Sequence, residues 1–110
     1  MTLRQLRYFT TLATVRHFGR AAEAVGISQP ALSMQIRDME IDLGGALVER
    51  TAGGVELTSL GSEVARRAAE ILAAVGDLEA VAHSRRGILS GPVTLGVIPS
   101  VAPYLLPRLL

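Results

Sequence analysis

Gln29, Ser33 and Arg37 stand four residues apart, and no acid lies between Glu23 and Asp38. At 100° per residue, an amide, a hydroxyl and a guanidinium at that spacing share one helix face. With Gln29 at zero, Gln29, Pro30, Ser33, Met34 and Arg37 fall within roughly 140° of arc. Leu32, Ile36, Met39 and Leu43 form a separate apolar stripe, expected to be core. The polar face suits a major groove. Small or hydrogen-bonding side chains at a helix start can reach base edges, and a bulky anion there would meet phosphate. The Gln29 amide can bond adenine, Ser33 can donate to or accept from several base edges, and Pro30 and Met34 can touch a thymine methyl. Ser28 is a good N-cap, Pro30 sits in the first turn where a missing N–H costs nothing, and the helix start itself attracts phosphate. A plain capped surface helix would carry the same residues, so the surroundings decide.

Other chemistries find little to work with. His17 and His83 are the only histidines, far apart, and no acid stands in a triad-like placement beside a serine. His17 opens a helix and reads as a phosphate-proximal or structural residue. The chain has no cysteine, which excludes disulfides, thiolate zinc sites and thiol catalysis and is compatible with a reducing cytoplasm. Gly53-Gly54 is not followed by a phosphate-loop pattern, and no His and carboxylate set has metal-ligand spacing. No catalytic residue, cofactor or metal is therefore expected. No apolar run approaches the roughly 18 residues of a membrane span, and Met1-Thr2-Leu3-Arg4 does not lead into a secretory core. A cytoplasmic location without a membrane partner is expected.

The elements that must position these residues are mostly helical. Leu3, Leu6, Phe9, Leu12 and Ala13 recur at helical spacing, predicting a helix over 3–15. A second runs from about Phe18 to Val25, with Ala21 and Ala22 inward, and Gly26 stops it. The third runs from its Ser28 cap to Leu43 and ends at Gly44-Gly45. Leu47 to Thr51 and Val55 to Thr58 then flank Ala52-Gly53-Gly54, as in a β-hairpin. A fourth helix is predicted over 59–86, a hinge over 87–91, and a buried strand at Val93 to Ile98. Two helices joined by a short turn, with a hairpin following, make a helix-turn-helix with a wing.

Charge follows the same division. The 110 residues, 49% hydrophobic, carry a formal net charge of +1. Residues 1–37 hold Arg4, Arg7, Arg16, Arg20 and Arg37 against Glu23 alone, and residues 38–63 hold Arg50 against six acids. A cationic front, with Arg20 and His17 beside the third helix, suggests a local polyanion site; a solvated helix face is the plainer alternative.

The residues resemble a known family. Leu6-Arg7-Tyr8-Phe9, His17-Phe18-Gly19-Arg20-Ala21-Ala22, Ser28 to Ser33 with Gln35-Ile36, Leu43-Gly44, Glu49-Arg50, and Leu57-Thr58 with Gly61 look like the LysR-type transcriptional regulators, in order and spacing. The segment Gly91 to Pro99, with Pro103 to Pro107, is similar to the start of the effector domain in the hydrogen-peroxide-inducible branch. The resemblance implies a mainly α fold: a winged helix-turn-helix DNA-binding domain over 1–58, a dimerising linker helix over 59–86, and the first strand of an α/β effector domain, otherwise absent, over 92–110. It implies double-stranded DNA as partner, with Gln29, Pro30 and Ser33 at the base edges; Ser28 and Met34 are counted with them as DNA-contacting positions. Arg37 would be a backbone or groove-edge contact, and Arg50 would serve the wing. Many members carry a basic residue where this chain has Met34, and another where it has Gly53, so fewer groove hydrogen bonds and a less electrostatic wing are expected.

Val64, Ala68, Ile71, Val75, Leu78 and Ala82 alternate spacings of four and three, which is a heptad seam suited to a second copy of the chain. A helix packed on its own domain is the alternative. A homodimer, and a tetramer for a full-length protein, is expected, with an approximately palindromic operator. One strand cannot make an effector domain, so the chain reads as the N-terminal part of a longer regulator. A small-molecule or redox effector would act only on the missing domain. A dimeric interaction fragment that has lost DNA binding is the competing function.

Overall fold

The computed structural model describes residues 1–90. In order these form α1 (Leu3–Val15), α2 (Phe18–Val25), α3 (Gln29–Leu43), β1 (Val48–Thr51), β2 (Gly54–Leu57) and α4 (Ser59–Ser90). Met1–Ala73 is one compact unit, and a second begins at Ala74.

Each helix start is closed by a side chain. Thr2 Oγ1 accepts from the Gln5 N–H while Gln5 Oε1 accepts from the Thr2 N–H, a complete capping box. His17 caps α2 and Ser28 caps α3. Gly26 and Gly44 end α2 and α3 in the left-handed conformation. Arg16 ends α1 in the same conformation at φ 60°, unusual for a side chain with a Cβ. It is held there from two sides: its Nε donates to the Ala13 carbonyl at 2.6 Å, and its own carbonyl accepts from the Val55 N–H at 3.1 Å.

The core gathers Leu6, Phe9 and Leu12 from α1, Phe18, Ala21 and Ala22 from α2, and Leu32, Ile36 and Met39 from α3. Leu47, Val55 and Ala68 close it. A fully buried side chain such as Phe9 contributes about 1.5–3 kcal/mol by leaving water. Leu43, expected in the core, lies at its rim at 37% exposed, and Leu3 is likewise 42% exposed. Both are end residues of their helices.

The hairpin is antiparallel, with Val48 opposite Leu57 and Thr51 opposite Gly54, so Ala52-Gly53 alone form its tip. Leu47 and Thr58, expected as strand residues, lie just outside the observed strands, and both are bonded to the segment that follows α3 or to α3 itself. The Leu47 N–H donates to Glu40 Oε2 at 2.8 Å, and the Thr58 hydroxyl donates to the Ala46 carbonyl at 2.6 Å.

Thr58 Oγ1 also accepts from the Gly61 N–H at 2.9 Å, fixing the start of α4. Gly61 then packs against the Leu47 carbonyl so closely that an added Cβ would collide with it. This approach turns one side of α4 onto the core and corrects the expected seam. Ala68 is 1% exposed, and Val64, Ala65 and Leu72 pack against the same cluster. The first compact unit thus continues past the 1–58 boundary to Ala73. Ile71 is exposed, and in the second unit Leu78, Val81 and Ala82 are exposed while Val75 is half-buried. The helix also continues through Gly87 to Ser90, where a hinge was expected, since an interior glycine weakens a helix by about 1 kcal/mol without ending it. Gly91 and the strand and tail expected over 92–110 lie outside the described residues. No helix among the described residues is long and apolar enough to cross a membrane.

Candidate nucleic-acid interface

The outer face of α3 is open at its N-terminal end. Gln29, Pro30 and Arg37 are exposed, Met34 is 63% exposed, and Ser33 is half-buried. Ser28 stands at the helix start with its Oγ accepting from the Ala31 N–H at 3.2 Å, so its oxygen is engaged in capping and its O–H remains as donor. Among the described residues Arg20 and Arg37 form no ion pair.

The first turns of α2 and α3 meet beside this face. His17 Nδ1 accepts from the Arg20 N–H at 3.1 Å. In a neutral ring the hydrogen therefore sits on Nε2, leaving an N–H donor on an exposed side chain. Gly19 leaves room between the two turns: a Cβ there would lie 3.0 Å from His17 Cε1 and 3.5 Å from Gln29 Oε1. His17, Gln29 and the N-terminus of α3 thus lie together, with Arg20 exposed on the same first turn of α2 and a helix dipole adding positive potential.

Arg50 reaches the same two helices from the wing. Sequence reasoning gave it to the wing, and its backbone does lie in β1. Its side chain, however, reaches back to α3, where Nη2 donates to Ser33 Oγ at 2.9 Å. The guanidinium carbon lies 4.0 Å from the centroid of the Phe18 ring, a cation–π contact with a buried aromatic. The wing is pinned by its backbone as well, through the Val55 N–H to Arg16 bond and through Gly54, whose φ is 139° and which abuts the Arg16 carbonyl. Arg16 precedes the His17 cap, so wing and α2 share one anchor.

Two features escaped the sequence. Glu49 and Glu56 are paired across the hairpin and both exposed, placing two carboxylates on one face of the wing. Only the pairing register reveals that they are neighbours. The Gln5 Nε2 bond to Gln35 Oε1 at 3.0 Å, which ties α1 to the middle of α3, joins residues thirty positions apart. The described residues hold no group of three or more metal-ligating side chains.

The arrangement has known counterparts. The family model described as "Bacterial regulatory helix-turn-helix protein, lysR family" matches residues 3–62. A "Hydrogen peroxide-inducible genes activator" of Pectobacterium carotovorum subsp. carotovorum is 43% identical over 110 residues, covering all of this chain and 36% of that protein. The "HTH-type transcriptional regulator EstR" of Acinetobacter baylyi is 42% identical over 109 residues, again covering 36% of the relative. The chain therefore spans about a third of the length of the curated relatives it matches, and these are transcriptional regulators rather than enzymes. Among solved structures, a full-length OxyR variant from Pseudomonas aeruginosa matches with a TM-score of 0.72 and 39% identity, over 76% of this chain and 28% of that one. A BenM DNA-binding domain in complex with catB site 1 DNA matches with a TM-score of 0.72 and 37% identity, over 83% of this chain and 98% of that one. The fold is that of a winged helix-turn-helix.

Proposed function

The chain belongs to the lysR family of bacterial regulatory helix-turn-helix proteins, and on that premise we propose that it binds double-stranded DNA with α3 in the major groove, as part of a transcriptional regulator. The observation that carries this reading is the exposed N-terminal half of α3, free of acid from Gln29 to Arg37, with His17 beside Gln29 and Arg50 bonded to Ser33. Gln29, Pro30, Ser33 and Met34 meet base edges, and Arg37 meets the backbone at the groove edge. Ser28, His17 Nε2–H and Arg20 hold phosphate at the paired helix starts. The wing tip, Ala52-Gly53, is small enough to approach the backbone but brings no charge to it. The BenM complex with DNA supports the reading because its protein shares this fold.

A homodimer presents two such helices. The surface available to the second copy lies on α4, where Ile71, Leu78 and Ala82 are exposed and Val75 half-exposed; Val64 and Ala68 no longer belong to it. Half-sites about 34 Å apart, or a multiple of that, follow for an approximately palindromic operator. Tetramer formation, and response to a small-molecule or redox effector, belong to a full-length protein with a further domain. The protein is cytoplasmic and has no catalytic role. Gel-shift titration against duplex fragments of the source genome tests the reading: selective retardation of a few fragments supports it, and uniform or absent retardation contradicts it.

A further inference from the structure

Arg50 lies in the wing strand, yet its guanidinium is bonded to α3, and this bond constrains what Ser33 can read. Nη2 donates to Ser33 Oγ at 2.9 Å, and the Phe18 ring 4.0 Å below the guanidinium carbon restrains its plane. A free serine hydroxyl offers one donor and two acceptor lone pairs. Here one lone pair is filled, and the positive charge beside the oxygen weakens the other as an acceptor while strengthening the O–H as a donor. A base amino group brought to Ser33 would meet the guanidinium as a second donor. Cytosine presents such a group at N4, and adenine carries one at N6 beside its N7 acceptor. Guanine presents only acceptors, O6 and N7, and thymine presents O4.

We propose that Arg50 is a positioning residue that makes Ser33 a hydrogen-bond donor, so that the base facing Ser33 is selected for a keto edge, guanine or thymine, and against cytosine. The inference rests on the DNA-binding reading above and adds which edge α3 reads at this position. Arg50 acts through Ser33 and is not required to touch the base.

The test is enrichment of a randomised duplex library by the 110-residue chain and its Ser33→Ala, Arg50→Met and Arg50→Gln variants. Ser33→Ala identifies the position by losing preference there. At that position the wild-type chain is expected to favour guanine or thymine over cytosine by about tenfold or more, the scale of one well-made base contact. Arg50→Met keeps an apolar stem on Phe18 without a donor, and discrimination should fall to within about threefold at that position alone. Arg50→Gln guards against loss of the fold: its amide can still donate to Oγ without a charge, and intermediate discrimination is expected. A Ser33→Ala profile identical to wild type, cytosine accepted by the wild-type chain at the marked position, or full discrimination retained by both Arg50 variants would overturn the proposal. No enriched sequence for the wild-type chain would overturn the DNA-binding reading itself.

Discussion

The Val55 N–H of the wing donates to the Arg16 carbonyl at 3.1 Å, so the hairpin is hydrogen-bonded to the turn that leads into α2. The wing is thereby joined to the α2 cap, and the Arg50 bond to Ser33 joins it to the recognition helix, although the wing follows α3 in sequence. A site that must match DNA at several points needs its contacts held in fixed relation, because a misplacement at one costs the others.

Gly54 is the first test of that coupling. Its φ of 139° is strained for any L side chain, and an added Cβ would meet the Arg16 carbonyl. Gly54→Ala should lower stability by about 1–3 kcal/mol in urea unfolding. Wild-type stability in that variant would mean the wing is not anchored there.

Gly61 is the corresponding contact for α4. A Cβ there collides with the Leu47 carbonyl, which cannot move without breaking its bond from the Thr58 N–H, at 3.0 Å. Gly61→Ala should lower the melting temperature by several degrees, about 4–8 °C per kcal/mol lost in a domain of this size. An unchanged melting curve would contradict the close approach.

His17 separates capping from binding. His17→Ala removes the acceptor for the Arg20 N–H and should cost about 1 kcal/mol of stability. His17→Asn can restore the cap but does not reproduce the Nε2–H donor. Recovered stability with DNA affinity still reduced is the expected pair of results; full recovery of both would make His17 structural only.

Much of this architecture was legible in the sequence, and the part that was not has a common cause. Ser28, Gly26 and Gly44 mark helix ends by local chemistry, so α2 and α3 begin and end where expected. The polar face of α3 needed only helical periodicity. Arg50 over Phe18 and against Ser33 joins positions seventeen or more apart, and no local rule gives such a contact. The heptad pattern of α4 was real, but periodicity cannot say which partner covers an apolar stripe. Gly61 against Leu47 decided that Val64 and Ala68 face their own core.

Ser33→Glu should abolish specific DNA binding while leaving the fold intact, because it sets a carboxylate among phosphates. The structure adds a reason for the intact fold: the Arg50 guanidinium already at Ser33 Oγ would pair with the new charge. An unchanged melting curve with no specific complex is expected, and full retained affinity would refute the placement of α3 in the groove.

A pH dependence is expected at the start of α4. Hydrogen bonds from Arg66 and then Arg67 hold the Glu63 carboxyl at about 2, below its ordinary 4.5. A folded-state pKa below the unfolded value contributes stability above about pH 4.5 that is lost as pH falls toward 2. The group is exposed, so the contribution is small and screened by salt. Melting curves of wild type and Glu63→Gln in low salt should differ near pH 6 and converge near pH 2; a constant difference would remove the ion pairs from the account.

The most direct measurement of the central claim is the salt dependence of the complex between this chain and a selected duplex, titrated from 50 to 200 mM salt. Each phosphate neutralised contributes a slope of about −0.9 in log affinity against log salt, so a dimer using Arg20, Arg37 and its α3 helix starts should give a slope of about −4 or steeper. A slope near zero, or no complex even at the lowest salt, would contradict DNA binding by this surface.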